Sequence, residues 1–275
     1  MIVREAASVI LLRRRAPSGF EVLLLRRHRA ASFFASASVF PGGAADPGED
    51  ARECAARELF EEAGVLLARQ TSSVYDGNVI DTLGSSTQMR EMVALRAAVL
   101  AGESATTLLA ARDMTWWTDV LVPWSHWITP SVEPKRFSAR FFVAELPAGQ
   151  NPSFDDVETV EQFWVTPEEG IARAAELNLP PPQLRTLYEL AQISSVNEVL
   201  VAGHARGAEL HPILPRRKAD ADPPVLLLPW DPDYGDAGTG DALPLTYAPR
   251  WATGPSRFVR DGNAWSHVNA PVTSR

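Results

Sequence analysis

The sequence predicts an α/β sandwich, a mixed β-sheet covered by helices on both faces. Two observations carry this. Short apolar runs with strand character lie before and after one segment built almost wholly of strong helix formers. Clusters of Pro, Gly and Ser separate these runs, and 45% hydrophobic residues in a chain of 275 supply an ample core.

Taken in order, residues 6–12 and 20–25 read as strands split by the turn cluster Ala16-Pro17-Ser18-Gly19. Ser38-Val39-Phe40 is a third short strand, stopped by Pro41-Gly42-Gly43. After the Pro47-Gly48 turn, residues 50–63 form a helix, and Gly64 falls where a C-cap glycine belongs. Residues 140–144 and 161–165 are strands again. Thr166-Pro167-Glu168-Glu169 opens a helix to about residue 177, with Pro at its first position, and a last helix follows Pro180-Pro181-Pro182 to about residue 192. Two segments exceed this frame. Residues 68–125 form an insertion of helical composition, at 89–101 and 106–112, and residues 195–275 form an irregular C-terminal extension with one strand candidate at 225–228. The aromatics of the extension, among them Trp230, Tyr247 and Trp251, speak against simple disorder, so it is expected to wrap on a first domain spanning 1–194.

A net charge of −8 and a pI near 5.2 argue against a general nucleic-acid surface. An anionic substrate must then be received by local arginines and metal rather than by the overall field. Cys54 is the single cysteine, so no intramolecular disulfide can form. No apolar run reaches the length of a membrane span, and the early apolar stretch ends in Arg13-Arg14-Arg15, the wrong order for a signal peptide. A cytoplasmic protein without membrane or nucleic-acid partners is expected.

The chemistry concentrates in residues 43–65, GAADPGEDARECAARELFEEAGV. Glu58 and Glu62 are four apart, so their carboxylates lie on one face of the helix, with Glu61 beside them. Like charges at that spacing repel, and a hard divalent cation, Mg2+ or Mn2+, removes the penalty. Arg57, four before Glu61, is placed to pair with it and fix its rotamer. Because this face is taken as exposed, neutralising either ligand is expected to leave core packing intact. Glu49 starts the helix, where it either caps the N-terminus or reaches a metal through water.

This segment resembles the Nudix box, G-x5-E-x7-R-E-U-x-E-E-x-G-U with U apolar, at every fixed position. The resemblance implies the Nudix fold and hydrolysis of a diphosphate linked to another moiety, with Mg2+ or Mn2+ as cofactor. It implies the Gly42 carbonyl, Glu58 and Glu62 as metal ligands, with Glu61 as ligand or orienter. The catalytic set is then Glu61 and Arg57 with a general base from a distant loop, for which Glu158 and Glu161 are the candidates. Arg26 and Arg27, next to the Phe40-Pro41-Gly42-Gly43 loop, are candidates for phosphate binding, Arg27 favoured by the family match.

Segments outside the box, including Ser32-Phe33-Phe34, Trp127-Ile128-Thr129-Pro130 and Leu179-Pro180-Pro181-Pro182-Gln183, resemble the peroxisomal coenzyme A diphosphatase group of Nudix proteins and its bacterial relatives. Coenzyme A or an acyl-CoA is the substrate this implies, with ADP-ribose, NADH and other dinucleotides as rivals and a silent binding module as an alternative of another class. The sequence departs from the fuller coenzyme A signature at His28, Ser32 and Ser36, the last standing where the signature has Gly. Trp116-Trp117, Trp124 and Trp127 invite a base-stacking platform, although core packing is the more frequent role of a Trp, and His126 among them is expected to be packed. The insertion, with Met92, Val93, Leu95, Val99, Leu108 and Leu109, is expected either to roof the cleft or to join two subunits, and its apolar surplus favours a homodimer.

Overall fold

A computed structural model of the chain describes residues 3–29, 35–71, 86–155, 158–207, 210–235, 237 and 249–270. Ser32-Phe33-Phe34 and Tyr247 lie outside the described residues, as does the side chain of Met89.

The first half of the chain runs β1 (Arg4–Arg14), β2 (Phe20–Arg27), β3 (Ser38–Val39), β4 (Gly42–Ala44), α1 (Ala51–Ala63) and β5 (Ala68–Gln70). The insertion supplies α2 (Ser86–Leu100), α3 (Ala105–Ala110) and β6 (Met114–Trp116), and then the chain returns to the main sheet with β7 (Val122–Ile128) and β8 (Phe137–Glu145). After these come β9 (Thr159–Val165), α4 (Pro167–Ala172), α5 (Pro181–Leu190) and α6 (Val196–Gly207). The extension ends the chain with β10 (Pro212–Ile213), β11 (Arg216–Arg217), β12 (Val225–Leu227), β13 (Arg257–Asp261) and β14 (Ala264–Val268).

The main sheet is eight-stranded, in the order β10-β7-β8-β1-β2-β3, with β4 also on β1 and β9 also on β2. It is mixed, because β1 runs parallel to β8 and β10 parallel to β7 while the other pairs are antiparallel. Alternation along β1 and β2 splits the core in two. Ala7, Val9, Leu11, Leu23 and Leu25 face α1 and the insertion. Ile10, Leu12, Val22 and Leu24 face α5, α6 and the extension. The predicted sandwich is therefore present, with α1 on one face and α4, α5 and α6 on the other.

Some boundaries differ from the sequence reading. Gly42-Gly43 is not only a turn: both residues belong to β4, paired with Ser8 and Ala7. The helix after Thr166 closes at Ala172 rather than near 177, although its capping box forms as the residues suggest. The end of the presumed insertion is core, since Val122, Trp124 and Trp127 are buried on β7. Trp116 is buried too, leaving half-buried Trp117 alone among the four tryptophans of the supposed stacking platform. His126 donates to or accepts from the Ser138 hydroxyl at 2.8 Å, and burial beside Arg140 lowers its pKa to about 4.

The insertion spends its apolar residues inside its own chain. Leu95, Val99 and Leu109 are buried in the same core cluster as the apolar side of α1, with Met92 and Leu108 packed against it; Val93 is the exception, 67% exposed. The homodimer expectation thus loses most of the apolar surplus on which it rested. Among the described residues no helix is long and apolar enough to cross a membrane.

The extension is bound through charge and rings together. Glu189 accepts from Arg185 at 2.6 Å and from Arg206 at 2.5 Å, all three side chains being buried. The Arg206 guanidinium lies over Trp124 at 3.7 Å and over Trp251 at 4.6 Å. His267 stacks on Phe258 with centroids 4.5 Å apart, and burial with the nearby Arg185 charge lowers its pKa to about 3. The folded state thus resists a proton that the unfolded chain takes up below about pH 6.5. Stability is complete above that value and falls, by about 1.4 kcal/mol per pH unit from this group, as the pH drops toward 3. Urea midpoints of His267→Phe, which cannot titrate, should decline less between pH 6.5 and 4.5 than those of the parent; equal slopes would show that His267 is not the group responsible.

Candidate active site

The site is built where α1 crosses β4. Asp50 caps α1, its carboxylate accepting the Arg52 and Glu53 amides, and Gly64 closes it at φ 66° while its amide donates to Phe60. Glu49 therefore does not cap the helix. Its two oxygens are taken by Arg57 Nε at 2.8 Å and Nη2 at 2.9 Å, a forked pair. The other arm of Arg57 donates to Glu58 at 3.0 Å and Glu61 at 3.2 Å, so one guanidinium organises three carboxylates. The pairing with Glu61 expected from spacing is present, but Glu49 is the stronger partner.

The two glycines of β4 make room in opposite directions. A Cβ on Gly42 would collide with the Ala7 carbonyl oxygen and with Ser8, so only glycine lets β4 lie this close to β1. A Cβ on Gly43 would stand 2.5 Å from Glu58 Oε1, so the bare backbone is the bed on which the Glu58 carboxylate rests. Gly43→Ala would push aside a flexible side-chain end, not backbone. The expected result is near-parental stability with turnover lowered roughly tenfold or more, read from urea midpoints and initial rates together. Unchanged turnover would show that the position of Glu58 on Gly43 is immaterial.

Glu62 departs from the exposed face assumed for it. It is 3% exposed, with Oε2 accepting the Gly42 amide at 2.9 Å, while buried Oε1 has no hydrogen-bond partner. Arg27 Nη1 is 3.8 Å from that oxygen, and Nη2 is 3.7 Å from Glu158. Burial, reinforced by Glu58, drives the Glu62 carboxyl well above the usual range. Burial pushes Glu58 up to about 7 in spite of Arg57, with Glu61 and Glu158 adding to the rise, and it raises Glu61 as well.

The remaining candidates divide by the pleat. Arg27 shares the face of Leu23 and Leu25 and looks toward α1, whereas Arg26 shares the face of Val22 and Leu24. Arg26 pairs there with Glu161 at 2.8 Å and lies over the Phe163 ring. Arg26 and Glu161 are thus on the far side of the sheet from the carboxylates, and the structure does not bring them to the site. A register shift between Arg26 and Arg27 matters here: Arg26 opposes Glu161 but Arg27 opposes Thr159, the extra residue being Val160. That bulge turns the strand start so that Glu158 stands beside Arg27. Asp155 is not exposed acid without work: it accepts from the amides of Glu158 and Thr159 and from the Thr159 hydroxyl.

A divalent cation fits these residues. Hard oxygen donors on Glu58 and Glu62 both lie between α1 and β4, and the buried oxygen of Glu62 that makes no hydrogen bond is an acceptor that a cation would satisfy. Among the described residues no three such side chains already converge as a ready cage, and Arg57 donates to both Glu58 and Glu61. One contributor was illegible in the sequence. Arg96 of α2 donates to the Glu61 carbonyl, and only the placement of the insertion reveals it.

The comparisons with known proteins agree with this frame. Residues 47–193, more than half the chain, match the family model of the NUDT19 Nudix domain. The chain is similar to "Putative nudix hydrolase 7" of Caenorhabditis elegans, 32% identical over 71% of this chain and 62% of that protein. It is similar to "Acyl-coenzyme A diphosphatase NUDT19" of Gallus gallus, 29% identical over 84% and 81% of the two chains, and to that of Homo sapiens, 32% identical over 66% and 50%. The chain thus spans 62% of the worm protein's length and half of the human one's. Among solved structures, the Nudix hydrolase of Alicyclobacillus acidocaldarius superposes with a TM-score of 0.62 over 73% of this chain and 96% of that one, at 24% identity, which speaks for the fold. Box, sheet topology and family match converge: the chain belongs to the Nudix hydrolase superfamily, in the branch defined by the NUDT19 Nudix domain.

Proposed function

We propose that this protein is a metal-dependent hydrolase that cuts the diphosphate of coenzyme A or an acyl-CoA to adenosine 3′,5′-bisphosphate and phosphopantetheine or its acyl form. The observation that carries the reaction class is the placing of buried Glu62, with one oxygen that has no hydrogen bond, and Glu58 side by side on α1 against the Gly42-Gly43 strand. Neighbouring carboxylates buried with only partial compensation are costly in a resting fold and are expected where a cation and a phosphate are received.

When bound by Glu58 and Glu62, with the Gly42 carbonyl and Glu61 as further candidates, Mg2+ or Mn2+ would neutralise phosphate oxygens and acidify an attacking water. The chain's own groups do the rest. Arg57 holds Glu58 and Glu61 in fixed rotamers through its fork on Glu49. Arg27, between Glu62 and Glu158, offers N–H groups to a phosphate oxygen. Glu158, 62% exposed beside Arg27, is the carboxylate available to take the proton of the water as it attacks phosphorus. The P–O bond of the diphosphate bridge then breaks and the bridging oxygen leaves on the second phosphate.

The coenzyme A assignment rests on the acyl-CoA diphosphatases among the similar proteins and on the sequence match. One departure from the coenzyme A signature is smaller than it looks in sequence. Ser36, standing where the signature has Gly, adopts φ 60°, the left-handed backbone that glycine favours. The test is a panel of coenzyme A, acetyl-CoA, ADP-ribose, NADH and diadenosine polyphosphates with Mg2+, Mn2+ or EDTA. Coenzyme A or its thioester should give the highest kcat/KM, abolished by EDTA. Preference for ADP-ribose or NADH would replace the substrate and keep the chemistry; no hydrolysis of any compound would favour a binding module.

A further inference from the structure

Arg96 stands at a junction of three segments that are remote in sequence. It comes from α2 of the insertion, anchored on α1 by buried Leu95 and Val99. Its Nε and Nη2 both donate to the Glu61 carbonyl, at 3.0 and 2.7 Å, where α1 leaves carbonyls without helical partners. Its Nη1 donates to the Ser153 hydroxyl at 2.9 Å. Ser153 is itself tied to the helix, its amide donating to the Ala63 carbonyl at 2.9 Å. Two residues on, Asp155 holds the Glu158 and Thr159 amides and so fixes the entry to β9. Gly64 leaves the space this needs, because a Cβ there would stand 2.9 Å from Arg96 Nη1 and 3.3 Å from Ser153 Oγ.

We infer that Arg96 is a positioning residue, the junction through which the helical insertion sets the end of α1 that carries Glu61 and Glu62 against the segment that presents Glu158. This deepens the diphosphatase reading and rests on it for the roles of those carboxylates. It gives the insertion a use other than a lid or a dimer arm: one guanidinium fixes the distance between the acid cluster and the segment holding the proposed base. An arginine is required, since a planar fork can serve the Glu61 carbonyl and the Ser153 hydroxyl at once. A plain helix cap would affect stability alone. A junction must also affect turnover.

The experiment uses the full chain with Arg96→Ala, Arg96→Lys and Ser153→Ala, and Val93→Ser on the exposed side of α2 as control. Rates with coenzyme A and Mg2+ are measured well below each melting temperature, with amide hydrogen exchange on the same samples. For Arg96→Ala, kcat should fall roughly 10- to 100-fold, the loss expected for a misplacement of about 1 Å, with KM changed by no more than about threefold. Arg96→Lys should recover part of that loss, and Ser153→Ala should show a smaller fall that adds nothing to Arg96→Ala in the double variant. Exchange should quicken in 151–155 and in the last turn of α1, while β1 and β8 stay protected. Wild-type kcat and exchange in folded Arg96→Ala would overturn the inference, whatever happens to its melting temperature. If Arg96→Ala fails to fold, Arg96→Lys and Ser153→Ala decide, and wild-type kcat in both overturns it. If the parent hydrolyses none of the panel, the diphosphatase reading fails, and unaltered exchange in the variants is then what would refute the junction.

Discussion

Glu62→Gln should abolish turnover almost completely and yet make the metal-free protein harder to unfold. The carboxylate is 3% exposed, keeps one oxygen on the Gly42 amide and leaves the other without a hydrogen bond, with Arg27 3.8 Å away. Glutamine preserves the shape and the acceptor for Gly42 but cannot carry the charge that a cation needs. Loss of several kcal/mol of transition-state stabilisation corresponds to roughly a thousandfold fall in kcat. The stability effect has the opposite sign. Because the folded-state pKa of Glu62 is raised, the parent at neutral pH carries a penalty that the unfolded chain does not, and the penalty vanishes as the pH falls to the ordinary carboxylate range. Metal-free Glu62→Gln should accordingly gain about 1–2 kcal/mol at pH 7, nothing below about pH 4.5, and lose its advantage when Mg2+ stabilises the parent alone. Urea melts at both pH values, with and without Mg2+, give the whole pattern. Parental turnover at saturating Mg2+ would remove Glu62 from the metal site.

Arg57→Ala should damage both activity and fold. The guanidinium, largely buried, compensates Glu49 by a fork and reaches Glu58 and Glu61 with its remaining arm. Truncation leaves three neighbouring carboxylates, two of them with pKa values already raised by burial, without a counter-charge. Breaking a buried pair from one side costs about 3–5 kcal/mol, and turnover should fall by about two orders of magnitude as the rotamers of Glu58 and Glu61 are released. Lysine should rescue poorly, because a point charge cannot bridge four acceptors. A melting temperature equal to that of the parent would mean that Glu49 and its neighbours are held by something else.

Much of this site was legible because it is local. The helix, its glycine cap and the i,i+4 carboxylates follow from spacings of a few residues, and the sandwich follows from strands on both sides of that helix. What escaped was set by the pleat and by long-range packing. By residue type alone Arg26 and Arg27 look equivalent, though the family match favoured Arg27, and so do Glu158 and Glu161; sheet alternation and one bulge at Val160 send one of each pair to either side. Glu62 was read as exposed because helix spacing says which face a residue is on, not that β4 closes over it. Arg96 was invisible for a stronger reason: its partner is a backbone carbonyl, which leaves no trace in residue type.

The two-sided core also sets a timetable for folding. Phe258 of β13 is packed in the same cluster as Ile10 of β1, and Arg206 joins Trp124 to Trp251. A chain emerging from the ribosome can form the α1 face once β8 has appeared, since β1 needs β8 as its parallel neighbour. The opposite face must wait until β13, more remote from β1 than β8 is, has been made. Until then Ile10, Leu187 and Val199 lack Phe258 in their cluster, and contacts of such sequence separation form slowly. The nascent protein therefore has its carboxylate cluster before it has a closed body, and the interval between the two is when it is most exposed to aggregation.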